Sequence, residues 1–156
     1  MKILALDLGK NTGVFNGIDF PECIVFEGEY RLRDFWNWID SYISCFEPDH
    51  VVIENALYQM GAANELFHEW KTCVKLACQQ RDVWFNEVSP AHVKKNFTGN
   101  GKAQKEDVIN KVLEMRIGLP YKIPTRGKYA NTRVYNDNAA DAVAIYYAFK
   151  QDLEGR

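Results

Sequence analysis

The feature that most constrains this chain is an apolar run with one carboxylate near its end, Ile3-Leu4-Ala5-Leu6-Asp7-Leu8-Gly9, followed by Lys10-Asn11-Thr12-Gly13-Val14. A run of that length and composition reads as a strand with its backbone in the core. Asp7 then carries a charge where burial is costly unless it is paired or bound to a metal. A carboxylate capping a turn is the competing role. The choice depends on whether other elements end in carboxylates that could reach Asp7.

Residues 2–8 predict a buried strand, Gly9–Gly13 a tight turn, and Val14–Asp19 and Cys23–Tyr30 two short strands parted by Pro21. That opening is a three-stranded meander. Leu32, Phe35, Trp36, Ile39, Ile43 and Phe46 fall on one helical face, and Pro48 ends that helix. His50–Glu54 is a further apolar strand ending in an acid. Ala62 to about Gln80 has a broad amphipathic stripe, with Phe67 and Trp70 as the best candidates for a subunit interface. Val83–Val88 is a short strand, and Ser89-Pro90 starts a helix to about Phe97.

A second helix is expected from roughly Ala103 to Met115, then a long basic loop over 117–136. An alanine-rich helix over about Asn138–Phe149 and a polar tail from Gln151 complete the chain. Helices alternating with strands give an α/β class. An antiparallel meander feeding parallel strands points to a ribonuclease H-like fold, a mixed five-stranded sheet flanked by helices, in a single domain over residues 1–156.

Charge is divided along the chain. Residues 89–133 hold ten Lys/Arg and three acids, whereas the remainder holds nine and eighteen. A basic block beside carboxylates suits a protein that holds a polyanion and cuts it. Cys23, Cys45, Cys73 and Cys78 show no C-x-x-C or zinc spacing, which fits a reduced, intracellular, cytoplasmic protein. No run is long enough to span a membrane, and no signal peptide is expected.

Three acids stand out by position: Asp7 ends the first strand, Glu54 ends the fourth, and Asp141 is expected in the first turn of the last helix. Asn138 is three residues before Asp141 and can share its face. Hard oxygen donors without a histidine or thiolate cluster favour Mg2+ or Mn2+ over zinc. Two such ions, roughly 4 Å apart, would suit phosphodiester hydrolysis, one activating water and one steadying the leaving oxygen.

These residues also carry a family resemblance. Leu6-Asp7-Leu8-Gly9-Lys10-Asn11-Thr12-Gly13, Val52-Ile53-Glu54-Asn55, Val88-Ser89-Pro90-Ala91-His92-Val93-Lys94-Lys95, Gly99-Asn100-Gly101-Lys102-Ala103-Gln104-Lys105 and Ala139-Ala140-Asp141-Ala142-Val143-Ala144 resemble, in order and spacing, the RuvC family of Holliday-junction resolvases. The 118–136 loop looks longer than is usual there. The resemblance implies a homodimeric endodeoxyribonuclease that makes paired symmetric nicks in four-way DNA junctions, with Asp7, Glu54 and Asp141 as metal-binding catalytic acids.

The family's fourth acid falls at Asn138, which either supplies a neutral oxygen or yields to Asp137 through a shifted turn. Asp137 is one residue off the motif and expected to point elsewhere, so Asn138 is favoured. Lys94 and Lys105 match basic positions near the scissile phosphate. Lys105 joins the catalytic set, while Lys94, Lys95, Lys102, Lys122, Arg126, Lys128 and Arg133 are assigned to DNA contact. The family's aromatic wedge position matches Leu57, with Tyr58 adjacent and Met60 close. His68 and His92 are expected to be structural or phosphate-facing.

Alternative functions are a branched-DNA or flap nuclease of relaxed specificity and a junction-binding protein with weak cleavage. An actin-like ATPase shares only the glycine turn, and the chain lacks the second lobe it would need.

Overall fold

The computed structural model describes residues 1–55 and 61–155. Its main sheet contains β1 (Ile3–Asp7), β2 (Asn11–Phe15), β3 (Glu22–Val25), β4 (His50–Glu54) and β5 (Trp84–Val88), ordered β3-β2-β1-β4-β5. The β1/β2 and β2/β3 pairs are antiparallel, whereas β1/β4 and β4/β5 are parallel. The expected mixed five-stranded sheet is therefore present. Helices α1 (Arg31–Phe46) and α2 (Ala62–Gln79) cover one face, and α3 (Pro90–Thr98), α4 (Lys105–Glu114) and α5 (Asp137–Glu154) the other.

Alternation along the central strands decides which side chains meet which helices. Ile3, Ala5 and Val52 pack with α5, while Leu4, Leu6, Val51 and Ile53 pack with α1 and α2. Asp7 and Glu54 continue the α5-facing series. Ala5 pairs with Val52 and Leu6 with Ile53, and extending that register sets Asp7 beside Glu54.

Several boundaries differ from expectation. The second strand begins at Asn11 and ends at Phe15, because the Asn16 side-chain oxygen accepts from the backbone N–H groups of Ile18 and Asp19 and closes a turn there. The last helix continues through Glu154, since the polar segment after Phe149 still carries helix-forming residues. The 117–136 segment contains a short antiparallel hairpin, β6 (Tyr121–Lys122) with β7 (Val134–Tyr135). Two-residue strands are too short to show a period in sequence.

Phe67 and Trp70 are core residues, 2% and 0% exposed, so they are not the outward surface of α2. The Trp70 ring stacks on Phe35 at 4.3 Å. Its Nε1–H donates to the Gly9 carbonyl at 2.9 Å, fixing the turn that follows Asp7. Among the described residues, no helix is long and apolar enough to cross a membrane.

Candidate active site

Helix α5 lies unusually close to the sheet. Ala139, Ala140, Ala142, Val143 and Ala144 are buried beneath it. At Gly13 on β2, a Cβ would fall 1.9 Å from the Asn138 carbonyl oxygen, so only glycine lets the strand and the first turn of the helix approach this way. Asn136 caps α5 by accepting from the Ala139 N–H at 2.9 Å. This packing delivers the first turn of α5 to the ends of β1 and β4.

The resulting charges act strongly on one another. Asp7 is pushed well above the usual carboxylate range, first by burial and then by the charges of Asp141, Glu54 and Asp137. Burial and Asp141 raise Glu54 to about 7, with Lys94 acting in the opposite direction. Burial and Asp137 raise Asp141 to about 6, opposed by Lys105 and Lys94. Three acids from three separate elements therefore resist ionisation together, the condition a bound cation relieves.

Asp137 belongs to this cluster, contrary to the expectation that it points elsewhere. Positions 137 and 141 are four residues apart, one above the other on a helix, so Asp137 shares the face of Asp141 as well as Asn138 does. The ammonium of Lys105 donates to Asp137 Oδ2. Burial pushes the Asp137 carboxyl up, but its bond with Lys105 and that lysine's charge hold it below the usual range. Bonding to Asp137 raises Lys105 in turn. Asn138 Nδ2 lies 3.5 Å from Asp137 Oδ1, at the limit of a hydrogen bond.

Of the described basic residues, Lys94 and Lys105 are the two whose charges reach the acids. Lys95 and Lys102 are exposed on α3 and in the α3–α4 connection, while Lys122, Arg126, Lys128 and Arg133 are exposed on the hairpin segment. Leu57, Tyr58 and Met60, the wedge candidates, lie outside the described residues. His92 is tied to Asp152 on α5 at 2.8 Å, in keeping with a structural role. Cys23, which sequence reasoning passed over, lies close enough to Asp7 and Asp137 for their charges to raise its thiol, after burial as the larger cause.

All three central donors are carboxylates, a set that fits a hard cation. Among the described residues, no group of three or more His, Cys, Asp or Glu side chains is gathered closely enough to hold a metal ion by itself. An ion held by these acids would thus need further oxygens from water or substrate, as magnesium commonly does.

A family model described as Crossover junction endodeoxyribonuclease RuvC matches residues 22–148. The chain belongs to the RuvC family. A curated RuvC of Gloeobacter violaceus is 31% identical, the match covering 93% of this chain and 85% of the relative. The Caldicellulosiruptor saccharolyticus RuvC is 27% identical over 93% of this chain and 89% of its own. Among solved structures, T. thermophilus RuvC in complex with a Holliday junction substrate superposes with a TM-score of 0.73 at 20% identity, covering 99% of this chain and 96% of the other. The fold is that of RuvC, hence ribonuclease H-like, as the meander and parallel strands predicted. RuvC-family nucleases are metal-dependent. Asp7, Glu54 and Asp141, the acids singled out in the sequence, influence one another's ionisation at the ends of β1 and β4 and near the start of α5.

Proposed function

We propose that this protein is a structure-specific endodeoxyribonuclease that resolves four-way DNA junctions by paired symmetric nicks, acting as a homodimer of one nuclease domain over residues 1–156. The observation that carries the reading is the convergence of Asp7, Glu54 and Asp141 at one end of the sheet, in a chain of this family. In this reading those acids hold Mg2+ or Mn2+, two ions per site, with Asn138 adding a neutral oxygen. The ions would supply an activated water and neutralisation of charge on the phosphate.

The remaining work falls to the chain's own groups. Lys94, whose charge opposes the raised pKa of both Glu54 and Asp141, grips the non-bridging oxygens of the scissile phosphate. Lys105 remains protonated and is aimed by Asp137, so it steadies negative charge developing at phosphorus. Lys95, Lys102 and the hairpin cations hold the flanking backbone. Leu57 and Tyr58 remain the candidates for a wedge at the crossover.

Paired nicks need two sites. The outward surface between α1 and α2 has a groove of about 1020 Å³, lined by Tyr30, Leu32, Trp36, His68, Cys73 and Leu76 among others, and is the proposed dimer face. The cysteines are free, which suits a reducing cytoplasm.

Labelled four-way junctions, flaps and linear duplex, incubated with and without Mg2+ or Mn2+, test the function. Symmetric, metal-dependent nicks confined to the junction are expected. Equal cutting of flaps would instead indicate a branched-DNA nuclease of relaxed specificity. Binding without cleavage would leave a junction-binding protein.

Asn138 and Asp137 can be separated by a metal titration. Removing a neutral ligand with N138A is expected to raise the metal concentration for half-maximal cleavage by about tenfold. D137N releases Lys105 and should lower the maximal rate with little change in that concentration. A metal requirement raised by D137N and not by N138A would make Asp137 the ligand.

A further inference from the structure

The β6–β7 hairpin is joined directly to the catalytic helix. The Asn136 N–H donates to the Pro120 carbonyl at 2.8 Å, so the base of the hairpin closes one residue before Asp137. Between the hairpin and edge strand β3 lies a cleft of about 510 Å³, bordered by Cys23, Val25, Tyr121, Lys122, Tyr135 and Asp137. Asp137 and Asn138 in its lining set it next to the acid cluster.

Residues 121–135 contain four cations, Lys122, Arg126, Lys128 and Arg133, and no acid. Tyr135 packs against the core, but the other two aromatic residues among them do not. Tyr121 is 49% exposed and Tyr129 51% exposed. The Tyr121 ring meets Tyr135 edge-on at 5.7 Å, and the Arg133 guanidinium lies 4.8 Å from its centroid. A half-exposed tyrosine ring with a guanidinium over one face, at a cleft that Lys122 also lines, is an arrangement that binds a base by stacking on the other face and its phosphate by charge.

We propose that this cleft is a subsite for one unstacked nucleotide of the strand being cut, next to the scissile phosphate, with Tyr121 as its stacking platform. The size falls within the range of sites for single small ligands, so a base must leave its stack to enter. Branched DNA supplies such bases at low cost, because pairing is already interrupted at the branch. The subsite would thus couple strand distortion to cleavage, and it rests on the nuclease reading above.

Two measurements test it. On an intact junction, Y121A should slow cleavage about tenfold and Y121F should restore it, since the phenyl ring keeps the stacking surface. A junction made abasic at the nucleotide beside the cut should erase the difference between Y121A and wild type. A Y121A rate equal to wild type would overturn the subsite, and so would a defect that persists on the abasic junction.

The second measurement needs no cleavage. Without divalent ions, saturating junction DNA should slow alkylation of Cys23, which lines the cleft, and leave exposed Cys45 on α1 unchanged. Cys23 reacting at its free rate would overturn the proposal. If the wild-type protein cuts no junction, the nuclease reading fails, and Cys23 protection alone decides whether the cleft takes a nucleotide.

Discussion

E54Q is expected to reduce junction cleavage by about 10³-fold while junction binding is retained. Glu54 ends β4 beside Asp7, within the field of Asp141. A glutamine there keeps the shape but loses the negative charge that a hard cation requires. It also loses the ability to take a proton at the carboxylate. In the proposed reading, binding rests on Lys94, Lys105 and the exposed cations, none of which the substitution removes. Taking one negative charge from beside a polyanion should, if anything, tighten the complex. A gel-shift titration paired with a single-turnover cleavage assay separates the two effects. Cleavage within tenfold of wild type would remove Glu54 from the site.

The same substitution is expected to stabilise the metal-free protein at alkaline pH. Glu54 titrates at about 7 in the folded chain, against 4.5 for an ordinary glutamate. Below about 4.5 the residue is protonated in both states and carries no penalty. Between 4.5 and 7 the unfolded chain gives up the proton while the folded chain keeps it, so stability falls as pH rises. Above 7 the full penalty is present, at most roughly 3 kcal/mol for a shift of this size. Part of that is offset by burying the glutamine amide, leaving a gain of about 2 kcal/mol for E54Q at pH 8. At pH 5 the gain should shrink to below about 1 kcal/mol. Denaturant melts at the two pH values, with chelator present, provide the measurement. A variant no more stable than wild type at pH 8 would mean that the acids do not repel as the structure places them. Lost activity with gained stability is the exchange expected where like charges are held together for function.

Much of this architecture is legible in the chain. The central strands alternate or run apolar as their burial requires, and Ser89-Pro90 starts α3 where its capping chemistry predicts. The three acids could be named because each stands at the end of an element. The register of β1 with β4, together with the small residues of α5, then leaves them nowhere to go but toward one another.

Other features needed the packed molecule. Asp137 lies one residue off the motif, a position that by the motif alone faces away from the site. The spacing to Asp141 contained the contrary signal, and the bond to Lys105 comes from α4, thirty-two residues earlier in sequence. Trp70 illustrates a different limit. An apolar stripe is the same pattern whether it meets the core or a second subunit, and only the stacked Phe35 and the bonded Gly9 carbonyl settle which. The hairpin was invisible because its strands are two residues each and are closed from outside by the Pro120–Asn136 bond.

The mixed sheet, the family and the placing of three acids at the ends of elements are thus legible from the chain alone, since these depend on periodicity and on local position. Tertiary structure decided which charges share a field, which aromatics are core and where a cleft opens beside the acids. Those depend on distances between elements remote in sequence, which no local pattern encodes.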